Sequence, residues 1–392
     1  MANKHGTLTS LISDIASSIR KVTEADDSKK IVADDFPEQI LLLGNSVATQ
    51  WNQNYDKVLS PTVKEKTISV IPKAMCYYDG YWLGVGSDSN NNTHYRIYGT
   101  TTGDLTIAQF AANRAYSFTG IECDGTKVFV CCESKSSSYK GRTILMFSLA
   151  DFKSNGNINY TYFTPSITTE YGFNDICKKG EDSAEYAPAV YVAGGANGKG
   201  LIERFLSSTS AGQYWIYNSI PGAFISCCQY RIEAGGITID NSYFLTNNGH
   251  LGFLRNPDTM EFYGFTFDYL QGATMVRHLN NYIVVACKKT DGTYLYFFTK
   301  ELNLVTGFKI TSDDFSVIGM AYVNGLYTVI GTTNLHKTKV WQTTNIFDHG
   351  IFGQTIEVNS ITKALATGNN NICLLSNNVQ GTVVKKSLIT LT

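Results

Sequence analysis

The sequence predicts an all-β protein, a seven-bladed β-propeller, with a small α-helical module at its N-terminus. One short phrase recurs seven times, and its marker positions fall at 80, 125, 188, 241, 281, 325 and 370. A period of roughly 40–50 residues with several short strands per unit is typical of propeller blades. The composition agrees, because charged residues make up only 17% of the chain and aromatic residues 12%. We therefore predict a propeller over residues 66–392.

The recurring phrase is a turn pair followed by a strand. In the first copy Asp79-Gly80 precedes Tyr81–Val85. Asp and Gly tolerate a positive φ at a turn, and aromatic and branched residues favour strands. The other copies are Asp124-Gly125 before Val128–Val130, Ala187-Pro188 before Val190–Gly194, Asp240-Asn241 before Tyr243–Leu245, Asn280-Asn281 before Tyr282–Val285, Asn324-Gly325 before Leu326–Gly331, and Asn369-Asn370 before Ile372–Leu375.

Residues 1–44 differ from the rest and predict two helices. Apolar residues recur at steps of three and four in the first helix, and Asp34-Asp35 with Pro37 favours the start of a second. The apolar positions are Leu8, Leu11, Ile12, Ile15, Ile19, Phe36 and Ile40. A segment this short buries little surface alone. Its apolar stripe is therefore expected to dock on another protein, to oligomerise with its own copies, or to pack on the propeller.

The same segment carries a family resemblance. The pattern consists of Leu11-Ile12-x-x-Ile15-Ala16-x-x-Ile19-Arg20-Lys21 followed by Ile31-x-x-Asp34-Asp35-Phe36-Pro37-x-x-Ile40. It resembles a short N-terminal module of tail, baseplate and receptor-binding proteins of tailed bacteriophages, over about residues 7–44. The chain departs from the usual form at Ser18, where that module has alanine, and at Val22, where glycine often stands. The resemblance implies a virion protein whose N-terminal module docks it to other virion proteins.

Residues 45–65 are polar and are predicted to be a linker, with Pro61 as a breaker. The last repeat has only three strand candidates, Ile361–Ala366, Ile372–Leu375 and Thr382–Leu388. An unclosed ring would leave a strand edge with unpaired backbone N–H and C=O groups. We therefore predict that residues 66–72 supply the missing outer strand of the last blade.

Composition also limits the function. The net charge of -1 argues against a nucleic-acid partner, because phosphate neutralisation needs a basic face. Neither a signal peptide nor an apolar run of about 18 residues is recognisable, so we expect synthesis in the host cytoplasm and no membrane insertion. The nine cysteines show no C-x-x-C spacing, which predicts buried free thiols.

The sequence predicts no cofactor, metal or catalytic site. Asp88-x-Asn90-x-Asn92 begins like a calcium loop, but Thr93 and Gly99 occupy the positions that need Gly and Glu. A glycosidase needs two converging carboxylates, and the candidates that the sequence leaves open are Glu133, Glu181, Asp182 and Glu203. Gln213, Trp215 and Tyr217 share one strand face, which either packs in the core or offers rings to a sugar.

These patterns and the resemblance predict a structural protein of a phage tail, baseplate or fibre. It would bind a bacterial surface ligand, such as a carbohydrate, through propeller loops without catalysis, as a homo-oligomer. The individual receptor-binding residues are not identified by the sequence. Two alternatives stay open: a carbohydrate-cleaving depolymerase or glycosidase on the same scaffold, and an architectural or decoration protein of the virion.

Overall fold

A computed structural model describes most of the predicted propeller. The described residues are 62–88, 95–101, 108–111, 116–134, 142–155, 159–163, 171–178, 189–206, 212–234, 237–256, 259–323, 325–335, 337–343, 346–347, 351–352, 361–368, 371–377 and 384–390. The predicted docking residues Leu8, Leu11, Ile12, Ile15, Ile19, Phe36 and Ile40 lie outside these ranges. The helical module therefore stays a prediction.

The described residues form seven four-stranded antiparallel sheets, which confirms the all-β fold and the seven blades. The first strand, β1 (Thr62–Ile68), belongs to the last blade. Blade 1 contains β2 (Val70–Tyr78), β3 (Tyr81–Asp88), β4 (Tyr95–Thr101) and β5 (Ala108–Ala111). Blade 2 contains β6 (Tyr116–Cys123), β7 (Lys127–Ser134), β8 (Arg142–Ser148) and β9 (Thr161–Phe163). Blade 3 contains β10 (Tyr171–Lys178), β11 (Ala189–Ala196), β12 (Lys199–Leu206) and β13 (Gly212–Pro221).

The remaining blades repeat this order. Blade 4 contains β14 (Phe224–Ala234), β15 (Ile237–Thr246), β16 (His250–Asn256) and β17 (Glu261–Thr266). Blade 5 contains β18 (Ala273–Leu279), β19 (Tyr282–Lys289), β20 (Gly292–Phe298) and β21 (Leu304–Thr311). Blade 6 contains β22 (Phe315–Val323), β23 (Leu326–Thr333), β24 (Thr338–Thr343) and β25 (Ile351–Phe352), and blade 7 contains β26 (Ile361–Gly368), β27 (Asn371–Asn377), β28 (Val384–Thr390) and β1. Helical structure in the described part is limited to α1 (Leu149–Asn155) and a 3-10 turn at Asp268–Leu270.

The recurring phrase supplies the second strand of every blade. In blade 1 the chain reverses at Asp79 and Gly80, whose φ angles are 44° and 74°, and Trp82 on the following strand is fully buried. Blade 4 differs from the sequence prediction. Asp240-Asn241 lies inside β15, paired with Arg231 and Tyr230, and not at a turn. The branched residues before it, Ile237–Ile239, favour the extended form and lengthen the strand.

The first and last described strands lie side by side. β1 pairs antiparallel with β28, from Thr62 opposite Thr390 to Ile68 opposite Val384. Of the segment 66–72, residues 66–68 lie in β1 and residues 70–72 begin β2. The seventh sheet therefore joins residues from both ends of the propeller segment. With β1 in the seventh blade, all seven blades of the propeller have four strands.

Apolar clusters fill the spaces between neighbouring blades. One cluster joins Leu83 and Val85 of blade 1 to Val128 and Val130 of blade 2. All nine cysteines are buried free thiols, as the sequence predicted. Within the described residues no helix is long and apolar enough to cross a membrane.

Candidate functional site

The first strand of each blade lines a central channel. Residues of β2, β6, β10, β14, β18, β22 and β26 enclose a volume of about 640 Å³. These strands begin at one face of the ring, which we call the front face, and end at the opposite, rear face. Central channels and the loops around them are frequent binding positions in rigid repeat folds. The channel is therefore the candidate site.

A β-bulge occurs at the same register in every channel-lining strand. In blade 1 Pro72 pairs with Gly86 and Ala74 with Val85, which leaves Lys73 without a cross-strand partner. The equivalent residues, the bulge ring, are Lys73, Thr119, Asn174, Ile225, Thr274, Ile318 and Lys363. A bulge redirects its side chain and bends the strand locally. Seven side chains are thus placed near the front ends of the channel strands.

The sequence carries only a weak signal of this ring. In five blades a small residue follows the bulge: Ala74, Gly120, Ser226, Gly319 and Ala364. A Cβ added at Gly319 would lie 2.4 Å from Leu365 Cδ2 on the next blade, so close approach of the strands requires a small residue there. This signal becomes visible only after the bulges are aligned.

Two members of the bulge ring are lysines on neighbouring blades. Lys363 lies on blade 7 and Lys73 on blade 1, and both are exposed. Both line the channel. Neither forms an ion pair with any residue that the structure describes. Two cations therefore lie on one side of the channel opening at the front face, which we call the front mouth.

A polar network crosses the channel wall of blades 3, 4 and 5. The Arg277 guanidinium Nη1 lies 3.1 Å from Asp175 Oδ2 and donates to Ser226 Oγ at 2.9 Å. Ser226 Oγ donates to Asp175 Oδ2 at 2.8 Å. Burial lowers the pKa of Arg277 and the Asp175 carboxylate raises it, with a net rise. One acid, one hydroxyl and one cation thus join three successive blades.

Backbone groups complete this network. Asp175 Oδ1 accepts from the Ile176 N–H at 2.9 Å, and Oδ2 accepts from the Cys227 N–H at 3.1 Å. Arg277 Nη1 also donates to the carbonyls of Cys227 at 3.0 Å and Val276 at 2.8 Å. Pairing and hydrogen bonding of this kind offset the cost of removing these partly buried charges from water.

Glu122 of blade 2 adds a second carboxyl to the channel. Its Oε1 accepts from the Cys123 N–H at 2.9 Å. Burial raises the pKa of Glu122 to about 7, although the Cys123 N–H and the nearby Lys178 ammonium act in the opposite direction. Titration near neutral pH makes Glu122 able to exchange a proton under physiological conditions.

The two sides of the channel differ in polarity. His278 lies beside the charged side, with Nε2 buried and without a hydrogen-bond partner among the described residues. Burial lowers the pKa of His278. Blades 6, 7 and 1 instead contribute apolar side chains, among them Met320, Leu365 and Met75. Blades 3 and 5 therefore supply the paired charged groups, whereas blades 7 and 1 combine apolar side chains with the two lysines of the bulge ring.

Of the four carboxylates that the sequence leaves open, the structure places only the side chain of Glu203, and it lies away from the channel. Glu203 on β12 is fully buried, shares its strand face with Leu201 and Phe205, and packs between blades 2 and 3. Burial raises the pKa of Glu203 to about 8. Glu181 and Asp182 lie outside the described residues, as does the side chain of Glu133 on β7. The calcium-like positions 90 and 92 also lie outside.

The strand face of Gln213 has a packing role. Trp215 and Tyr217 are partly buried against the cluster between blades 3 and 4, and Arg204 lies 5.7 Å from the Trp215 ring centroid. Arg204 Nη2 donates to Gln213 Oε1 at 2.6 Å. This face therefore belongs to the core and not to an open sugar platform.

No protein family and no curated protein matches the chain. Solved structures share the fold. The RRP9 WD40 repeats align with a TM-score of 0.58 at 8% identity, over 84% of this chain and 97% of that one. YCF48 bound to D1 peptide aligns with a TM-score of 0.56 at 11% identity, over 85% of this chain and 95% of that one. Saccharomyces cerevisiae Sqt1 aligns with a TM-score of 0.52 at 9% identity, over 84% of this chain and 98% of that one. At these identities the likeness establishes the propeller fold alone.

Proposed function

We propose that this chain is a bacteriophage virion protein of the tail, baseplate or fibre that binds a host-surface ligand through its propeller without turnover. The resemblance of residues 7–44 supports the virion location, with Leu8 to Ile40 as the docking stripe. A helical docking module in several copies would present several propellers together. Once one propeller has bound, the others are held at a high effective concentration near the same surface. Individually weak contacts then add up to strong attachment.

One observation carries the binding role, namely the bulge ring at the front mouth. Five of the seven bulge residues line the channel, and two of these five are exposed lysines on adjacent blades. Exposed cations on a rigid scaffold favour association with an anionic group and speed the encounter. The ligand that this mouth fits best carries carboxylate or phosphate groups. Among the solved neighbours, YCF48 holds a peptide, so this fold serves as a binding scaffold there.

A second candidate function rests on Glu122 and Asp175, which line the same channel. A carboxyl whose pKa is about 7 suits a general acid, and glycosidases use a second carboxyl group beside it. Against this role, Asp175 Oδ2 already accepts from Ser226, Cys227 and Arg277. We therefore rank binding above cleavage.

The experiment measures binding of the fluorescently labelled full chain to a panel of bacterial strains. The double variant Lys73→Glu/Lys363→Glu should bind at least about tenfold more weakly, because it reverses both front-mouth charges. Lys64→Glu/Lys153→Glu makes the same charge change at two exposed lysines on β1 and α1, outside the channel lining, and should bind like the wild type.

Failure of the wild type to bind any strain would contradict the attachment role and favour an architectural one. Release of reducing sugar from bound cells by the wild type, abolished in Glu122→Gln, would establish the glycosidase instead.

A further inference from the structure

We infer that the row of aromatic rings at the junction of blades 4 and 5 is a glycan-binding site. This inference rests on the proposed host-binding function and names its ligand class. This row, which we call the aromatic groove, consists of six rings: Tyr263, Phe265, Phe267, Tyr269, Tyr296 and Tyr294. It lies apart from the central channel, whose lining includes none of these residues.

The rings form a continuous row. Successive centroids are 5.1, 6.1, 5.4, 5.2 and 6.3 Å apart, in the order given above. These separations lie within the range of favourable aromatic pairs, so each ring fixes the orientation of the next. The row starts on β17, follows the 3-10 turn and ends on β20. It thus reaches from the rim of blade 4 to the start of β20 at the front face.

Two of the rings are open to solvent. Tyr263 and Phe265 are 41% and 44% exposed, and they alternate onto the same face of the outer strand β17. Their cross-strand partners Phe253 and Leu251 pack toward blade 5, so this face looks into the junction of the two blades. Phe267 and Tyr269 are only partly buried and continue the surface. Core packing explains the buried Tyr296, but it does not explain the exposed pair.

A polar cluster closes the front end of the row. Lys289 Nζ donates to the Tyr296 hydroxyl at 2.8 Å and lies 4.6 Å from the Tyr294 ring centroid. The Tyr294 hydroxyl donates to Asp291 Oδ2 at 2.5 Å, and Lys309 Nζ lies 2.8 Å from the same oxygen. Two cations and one anion leave this end with a net positive charge.

This arrangement matches the chemistry of a sugar chain. A pyranose presents an apolar C–H face, which packs on an aromatic ring, and a rim of hydroxyl groups, which needs donors and acceptors. The exposed Tyr263 and Phe265 supply the flat faces. Lys289, Lys309 and Asp291 supply the hydrogen-bonding groups, and the excess cation suits an acidic sugar. The groove therefore fits a short stretch of an acidic polysaccharide.

The exposed aromatic area argues against a protein partner. With 41% and 44% exposure, the two rings offer on the order of 200 Å². A standard protein interface buries about 800 Å² on each side. A protein docked here would have to draw most of its interface from surrounding polar surface, whereas a few sugar units would be covered by the rings themselves.

The test uses the labelled full chain on strains that it binds. Cells are treated either with periodate, which cleaves sugar diols, or with proteinase. We expect periodate to abolish binding and proteinase to leave it unchanged. Tyr263→Ala/Phe265→Ala should weaken binding at least about tenfold, because the double substitution removes the two exposed stacking faces. Tyr263→Phe keeps the ring and should bind almost like the wild type.

A matched control is Phe347→Ala, which removes a ring that is 64% exposed elsewhere on the propeller. It should leave binding unchanged, and unfolding midpoints should confirm that all variants are folded. Cells that stay bound after periodate, or unchanged binding by the double alanine variant, would overturn the glycan site while leaving the host-binding function intact. Absence of wild-type binding to every strain would overturn that function, and this inference with it.

Discussion

Two acidic side chains of blade 3 have opposite environments. Asp175 on β10 faces the channel, where its carboxylate is surrounded by Ser226, Arg277 and backbone N–H groups. Glu203 on β12 is fully buried between blades 2 and 3, and neither carboxylate oxygen has a hydrogen-bond partner among the described residues. One acid joins three blades, whereas the other interrupts an apolar interface.

The difference shows what decides the effect of a buried acid in this fold. Both residues lie on strands of one sheet, so local sequence preference does not separate them. Asp175 contacts polar groups because the bulged strands of blades 4 and 5 place Ser226 and Arg277 at the same height along the channel as Asp175. Glu203 meets Leu201 and Phe205 on its own strand and apolar side chains of blade 2. Partners on neighbouring blades therefore determine whether the charge stabilises the fold.

Removing the cation from the Asp175 network should have the largest effect. Arg277→Met leaves Asp175 in the channel wall without its counter-charge, and we expect a loss of about 2–4 kcal/mol in the free energy of unfolding, between the values for exposed and for fully buried ion pairs. Urea unfolding followed by tryptophan fluorescence measures it. Arg255→Met is the control, since Arg255 pairs with Glu261 at the surface and its side chain is 67% exposed. That change should cost less than about 1 kcal/mol. Equal losses in both variants would refute the contrast.

Replacing the isolated acid should stabilise the protein. Glu203→Leu removes a desolvated carboxyl from an apolar interface, and we expect a gain of about 2 kcal/mol or more at pH 8. The pKa of Glu203 is raised from 4.5 to about 8, so the folded state holds a proton that the unfolded chain has lost between these values. The wild type therefore keeps its full stability contribution below pH 4.5 and loses it as the pH rises toward 8.

The difference between the two proteins should grow by up to about 1.4 kcal/mol per pH unit in that window. Urea unfolding at pH 5 and pH 8 would show it. A constant difference at both pH values would mean that Glu203 is already ionised in the folded state at pH 5.

A double-mutant cycle sharpens the account of the channel network. Because Asp175→Asn removes the anion that Arg277→Met leaves unpaired, the double variant should be more stable than the sum of the two single losses predicts. We expect a coupling free energy of about 1–2 kcal/mol. Strict additivity in urea unfolding would mean that the two side chains stabilise the blades independently.

The smallest effect is expected at the front mouth. Lys73→Gln/Lys363→Gln removes two exposed cations without described ion-pair partners, and the free energy of unfolding should change by less than about 0.5 kcal/mol. A loss comparable with that of Arg277→Met would show that these lysines hold blades 7 and 1 together, and would remove them from the proposed binding surface.

Sequence reasoning found the architecture through its local repeats. Seven turn-and-strand phrases predict seven blades, and the absence of C-x-x-C spacing among the cysteines predicts buried free thiols. The structure confirms both. The turn predicted at Asp240-Asn241 is wrong, because the branched residues before this pair extend the strand through it. The bulge ring was missed because a bulge depends on the register between two strands and not on one residue type.

The residues of the candidate site come together through contacts between blades, which no local pattern in the sequence predicts. Asp175 and Arg277 are 102 positions apart and share no motif. Glu203 was a reasonable candidate by residue type, but its strand face points into the blade interface. The aromatic groove joins β17 to β20 across two blades, so its continuity appears only when those blades are packed.

The amino-acid sequence by itself determined the number of blades and the residues that form their second strands, because turn preference and β preference act between near neighbours. Only the tertiary structure decided which charged groups meet in the channel, which acid stays unpaired, and which rings form one surface. Those contacts depend on the angle and height at which successive blades pack, and this geometry is a property of the closed ring.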